Sequence, residues 1–147
     1  MAVSPQTNTS GPLGIVLRLD GRAADTSYDI ASIRVTHEVG RIPTCRLSLR
    51  DGSVASLEYP ATDDGRLAPG TQIEVQAFWG GNGAKMIFSG LILGLRSRID
   101  AASGAMLEIE ARGNAILMAQ ERRTANFEDK SDHDVMRALV SRHGLTA

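Results

Sequence analysis

One cysteine, three histidines, two lysines and an aromatic content of 4% set the first limits on this 147-residue chain. Cys45 has no intrachain partner, so a disulfide framework is excluded. It alternates with Leu47 and Leu49, which predicts a buried thiol and not a nucleophile. His133 and His143 fall in the first and last turns of one predicted helix, about 15 Å apart at 1.5 Å per residue, and cannot share a metal there. His37 lies on the expected inward face of a strand, and no Cys/His spacing matches a zinc site. The acidic pairs Asp63-Asp64 and Glu128-Asp129 read as solvated turn residues, without the alternating oxygen ligands of a calcium loop. No nucleophile elbow and no phosphate-binding glycine loop is present. No catalytic, metal-binding or cofactor-binding residue is therefore assigned, and the chain is expected not to be an enzyme. A net charge of −1 gives no general attraction for nucleic acid or an acidic membrane. No apolar run approaches the roughly 20 residues that span a bilayer. The opening MAVSPQTNTSGPLG has no apolar signal core, so residues 1–12 are expected to be a flexible arm and the protein to be soluble.

What the chain does have is alternation. With hydrophobic content at 42% and so few aromatics, the core must come from Leu, Ile, Val, Met and Ala. Period-two patterns predict strands over Gly14–Leu19, Ile30–Val39, Thr44–Arg50, Thr71–Trp79 and Met106–Arg112, most of them separated by Gly-containing turns. Ile33, Val35, His37 and Val39 should share one face of the second, and Trp79 should face inward on the fourth. Ser53–Gly70 is the longest irregular stretch.

Lys85–Gly113 carries the strongest signal, a long hairpin. On simple alternation Ile87, Leu91, Leu93, Leu95 and Ile99 form a core face. The opposite set begins with Met86, Phe88 and Ile92 and ends with Arg96 and Arg98. A strand that hides one face should wet the other, so Met86, Phe88 and Ile92 need cover from a second layer or a partner subunit. These five residues, with Arg122 and Arg123 of the following charged cluster, are the candidate subunit interface. All but Lys85 and Lys130 of the basic residues are arginine, the residue suited to intersubunit ion pairs.

The tail changes period. Ser131 can cap a helix, with Asp134 completing a capping box. Val135, Met136, Leu139 and Val140 recur at helical spacing, and Gly144 fits the left-handed position that ends a helix. The fold expected is mainly β, an antiparallel barrel of about six or seven strands with a C-terminal α-helix. The barrel should fill residues 13–125. Residues 126–147 should begin a following segment, with a helix near 131–143, in what is expected to be a fragment of a larger protein.

Ile87-Phe88-Ser89-Gly90-Leu91-Ile92 with Leu107-Glu108-Ile109-Glu110-Ala111 resembles the "F-x-G-x-I … L-x-I-x-A" hairpin of the VgrG / phage late control gene D family. The likeness runs on through Leu117, Arg122-Arg123-Thr124, Phe127–Ser131 and the helix ending Gly144-Leu145, and upstream includes Pro69-Gly70 and Ile73-Glu74-Val75. That resemblance implies a baseplate hub and spike subunit of a contractile injection system: a phage tail, a type VI secretion spike or an extracellular phage-tail-like particle. It implies a homotrimer with two related barrels per subunit, forming a pseudo-sixfold ring between the tail tube and the spike. It implies tail tube, spike and baseplate proteins as partners, synthesis in a bacterial cytoplasm, and neither nucleic acid binding nor membrane insertion. The family's second barrel, OB-fold and β-helical spike are not in this sequence. The alternative is a stand-alone β-barrel module that binds a glycan or an oligonucleotide, which would need exposed stacking aromatics.

Overall fold

The alternating segments pair into one antiparallel sheet in the computed structural model, which describes residues 13–24, 28–52, 58–80, 83–100 and 104–145. The expected N-terminal arm lies outside the described residues. Seven strands are present: β1 Leu13–Leu19, β2 Arg22–Ala23, β3 Asp29–Thr36, β4 Thr44–Arg50, β5 Gln72–Trp79, β6 Lys85–Asp100 and β7 Gly104–Gly113. Their order is β2-β1-β5-β6-β7-β4-β3. Asp20 and Gly21, at φ +48° and +74°, make the left-handed turn that matches strand twist between β1 and β2. No ladder joins β2 to β3 among the described residues, so the fold is barrel-like and its sheet is open.

One face of five strands supplies the buried core: Leu17 and Leu19 of β1, Leu47 and Leu49 of β4, Ile73 and Val75 of β5, Phe88 and Ile92 of β6, Leu107 and Ile109 of β7, with Ile30, Ile33 and Val35 of β3 packed against it partly buried. Phe88 is the only aromatic buried among the described residues, in keeping with the composition. Cys45 is buried beside Leu47, and burial pushes its thiol up to about 11, which makes it inert as a nucleophile.

Two expectations about faces are corrected. β3 ends at Thr36, so His37 and Val39 lie beyond it, exposed, and not in the core. Trp79 sits at the exposed end of β5 opposite Leu13, and is not a core residue. The larger correction concerns β6. Phe88 is 2% exposed and Ile92 0%, so they belong to the subunit's own core and cannot form a subunit interface. Ile87, Leu93, Leu95 and Ile99, expected inside, are exposed. Two bulges put Phe88 and Ile92 inside and Ile87 and Leu93 outside, whereas Leu95 and Ile99 pair with Ile109 and Ala105 on the core side and are exposed where β5 no longer runs beside β6. Val75 pairs with Phe88 while Gln76 pairs with Met86, leaving Ile87 as an extra residue. Ile92 pairs with Ala111 while Gly94 pairs with Glu110, leaving Leu93 extra. Each extra residue flips the phase of alternation, so no single odd or even set describes the strand. The bulged Ile87 carbonyl accepts a hydrogen bond from His37 Nε2 at 3.0 Å.

The stretch after β4 is held by a buried carboxylate. Asp51 accepts from the Ala61 and Thr62 backbone N–H groups at 2.8 and 2.9 Å, and from the Thr62 hydroxyl. Those donors open the short helix α1, Pro60–Asp63. Further on, Arg66 donates to both Asp64 oxygens at 2.7 and 2.8 Å, and the Tyr28 hydroxyl donates to the same group. Arg66 first, then Tyr28, holds the Asp64 carboxyl below its usual range. The clamp is therefore complete at neutral pH and weakens as acid protonates Asp64. Replacing Asp51 by alanine strands buried donors and should cost about 3 kcal/mol in urea unfolding, with Asp51→Asn costing less because one acceptor survives.

After β7 come a 3-10 helix, Asn114–Ala119, an irregular connector and α2, Asp132–Arg142. The Ser131 hydroxyl caps α2 by accepting from the Asp134 N–H at 3.3 Å, and donates to the Asp134 carboxylate at 2.6 Å. Gly144 is at φ +69°, with its N–H on the Ser141 carbonyl and the Leu145 N–H on that of Val140. These two bonds form the expected helix-ending motif. No residue of α2 is buried.

Candidate assembly surface

The surface features follow from unequal strand lengths. β6 has 16 residues, while β5 has 8 and pairs with it only as far as Leu91. Ile92 still bonds to Gly70 and Thr71. Beyond it, β6 is paired on the β7 side alone among the described residues. Leu93, Leu95 and Ile99 are exposed along this open edge, Ile99 at 58%. An open, apolar, extended edge is a template for another strand, and soluble proteins ordinarily blunt or cover such edges. The signal was present in the sequence as the mismatch between the two apolar runs.

The seven candidate interface residues do not form one patch. Phe88 and Ile92 are internal. Met86, 52% exposed, lies near the start of β6. Arg96 and Arg98 are exposed on its far half, roughly 34 and 41 Å from Met86 along a strand rising about 3.4 Å per residue. Arg122 and Arg123 are exposed in the connector, where Arg123 pairs with Glu121 at 2.6 Å. What register brings together, and pattern reading missed, is Arg34, Arg46 and Arg96 on the outer face of the sheet. They line a groove of about 550 Å³ with Ser48, Glu108 and Gly94. The sheet pairs Arg34 with Arg46 and Arg96 with Glu108.

No cluster of three or more His, Cys, Asp or Glu side chains among the described residues could hold a metal ion. No described helix is long and apolar enough to cross a membrane.

A family model, the Alg8 N-terminal domain, matches residues 10–147. The chain belongs to that family. The match is to this domain and not to the VgrG / late control gene D family that the hairpin and tail resemble. No curated protein matches by sequence. Among solved structures, the 43 kDa tail protein of prophage MuSo2 from Shewanella oneidensis superposes with a TM-score of 0.65 at 12% identity. The overlap covers 90% of this chain and 38% of that one. The tail protein from Neisseria meningitidis MC58 gives a TM-score of 0.55 at 16% identity, over 90% of this chain and 34% of that one. At such identities the likeness is one of fold, and the chain spans little more than a third of either protein.

Proposed function

We propose that the chain is a non-catalytic structural subunit of a contractile injection machine. In this reading it forms part of the baseplate hub ring that joins a tail tube to a spike, as a homotrimer assembled in the bacterial cytoplasm. The observation that carries the reading is the open apolar edge of β6, on a fold shared with a prophage tail protein and a second tail protein. The resemblance of residues 87–145 to the hub family supports it independently. A ring subunit needs an edge that a neighbour's strand can cover, and Leu93, Leu95 and Ile99 offer one.

Sedimentation velocity of the protein should give concentration-dependent association, with a trimer as the expected closed species. Leu95→Lys with Ile99→Lys should leave the fold intact, because both side chains are exposed. It should raise the dissociation constant by about 100-fold or more, from apolar burial of roughly 1.5–3 kcal/mol per side chain. A wild-type protein that stays monomeric at the highest attainable concentration would sink the reading.

The exposed Trp79 is the observation that favours a ligand-binding module instead. It is the only tryptophan, so its fluorescence reports cleanly. Titration with oligosaccharides and oligonucleotides should leave the spectrum unchanged in a ring subunit. A saturable shift would favour the rival.

A further inference from the structure

The outer-face groove poses an electrostatic problem that the subunit solves only in part. Arg34 lies directly opposite Arg46, a like-charge pair that destabilises a sheet unless neutralised. Glu110 stands opposite Arg46 on the other side, but it pairs along its own strand with Arg112 at 3.5 Å. In the next row Glu108 faces Arg96 without an ion pair. The guanidinium groups of Arg34, Arg46 and Arg96 and the carboxylate of Glu108 have no partner among the described residues. The groove thus presents Arg34 and Arg46, then Glu110 and Glu108, then Arg96: positive, negative and positive in order. Arg46 and Arg96 are separated by two strand spacings and a two-residue rise, roughly 12 Å between Cα atoms.

An acceptable occupant carries acid, base and acid over the same distance. Residues at i, i+2 and i+4 of an extended chain share a face and span about 13 Å. Glu128 and Lys130 of the connector and Asp132 at the start of α2 supply that order, and all three are exposed. Lys130 lies 5.9 Å over the Phe127 ring, while Glu128 and Asp132 have no partner among the described residues. A nucleic acid fits less well, because a run of phosphates would lie over Glu108.

We propose that the groove seats residues 128–132 of a second copy of this chain. Arg34 and Arg46 would clamp one carboxylate, Lys130 would answer Glu108, and Arg96 would take the other carboxylate. Asp129, now at φ +53°, would straighten on docking, a change open to aspartate at small cost. Each chain owns one groove and one acidic segment, so the contact is head-to-tail and closes a ring if the rotation allows. The proposal rests on the assembly reading above and adds a second contact, on the sheet face beside the β6 edge, with Leu95 shared between them.

The test uses the full chain in an Ile99→Lys background, where edge pairing is weakened at a residue that does not line the groove. Residual self-association, read by sedimentation velocity, should weaken as salt is raised. Arg34→Glu/Arg46→Glu and, separately, Glu128→Arg/Asp132→Arg should each weaken it at least tenfold, with unchanged circular dichroism. An equimolar mixture of the two should recover association, because the intact groove of one variant can seat the intact acidic segment of the other. Association indifferent to both reversals, or a mixture that does not recover, overturns the contact while leaving the assembly reading intact. A single-stranded oligonucleotide whose binding is lost in the Arg34/Arg46 variant, with self-association unchanged, assigns the groove to nucleic acid and also overturns it. If the wild type, with its edge intact, is monomeric throughout, both readings fall.

Discussion

Phe88→Ala should lower the stability of the isolated subunit by about 4 kcal/mol, independently of protein concentration. The ring is 2% exposed, stands opposite Val75 and fills the space beside Gly90. Removing it leaves a cavity whose lining is the paired backbone of a central strand, which has little freedom to collapse. For a domain of this size that loss corresponds to roughly 12–20 °C in Tm. Urea titrations at two protein concentrations ten-fold apart separate core from interface. An interface residue would give a loss relative to wild type that changes with concentration, since association itself stabilises by mass action. Met86→Ala is the matched control, exposed on the same strand, and should change stability by less than about 0.5 kcal/mol. A concentration-dependent Phe88 effect would return that residue to the subunit interface and contradict the packing described above.

Gly90→Val should abolish folding. Gly90 lies in the middle of the sheet between Ile73 and Gly113. A Cβ there would stand 2.1 Å from the Arg112 carbonyl oxygen and 2.6 Å from its carbon, and 2.7 Å from the tip of the Phe88 ring. The first two atoms are backbone of a hydrogen-bonded neighbour, so relief requires pulling β6 from β7. Even Gly90→Ala should cost about 3 kcal/mol or more, at the upper end of overpacking penalties. Gly94, four residues along, has open space where its Cβ would go, and Gly94→Ala should be close to neutral. A two-dimensional amide spectrum distinguishes the cases directly: dispersed for Gly94→Ala, collapsed for Gly90→Val. A well-dispersed Gly90→Val spectrum would mean that the β6–β7 pairing is not as described.

These two residues also explain the motif Phe88-x-Gly90-x-Ile92. All three are inward, the glycine making room for a neighbouring backbone and the ring at once. Read by alternation alone, the same residues form an apolar face that calls for a partner. Alternation fails at the bulges, because an extra residue is invisible in a strand's own sequence. Whether Ile87 or Leu93 is extra depends on where β5 and β7 hold their neighbours. The consequence for assembly is a relocation of the sticky surface, from Phe88 and Ile92 to the far edge that carries Leu95 and Ile99.

Other elements were legible because their causes are local. Thr44–Arg50 is a strand with the expected limits, alternating cleanly between a proline and an Asp-Gly turn. Ser131, Asp134 and Gly144 mark the ends of α2 by hydrogen bonds that reach only a few residues. By contrast, β3 stops earlier than its pattern suggested. Asp51 likewise reads as part of a turn dipeptide, yet it is a buried anchor, because its donors come from a helix about ten residues away.

Composition and short-range pattern by themselves determined that this is a mainly β chain with an aliphatic core, an inert cysteine and a capped terminal helix. Those properties depend on side-chain alternation and on bonds within one or two turns. Only the tertiary structure decided which face of β6 is inside, which edge is left open, and that Arg34 stands opposite Arg46. Those are properties of register, and register is set by the lengths and bulges of strands that meet from distant parts of the chain.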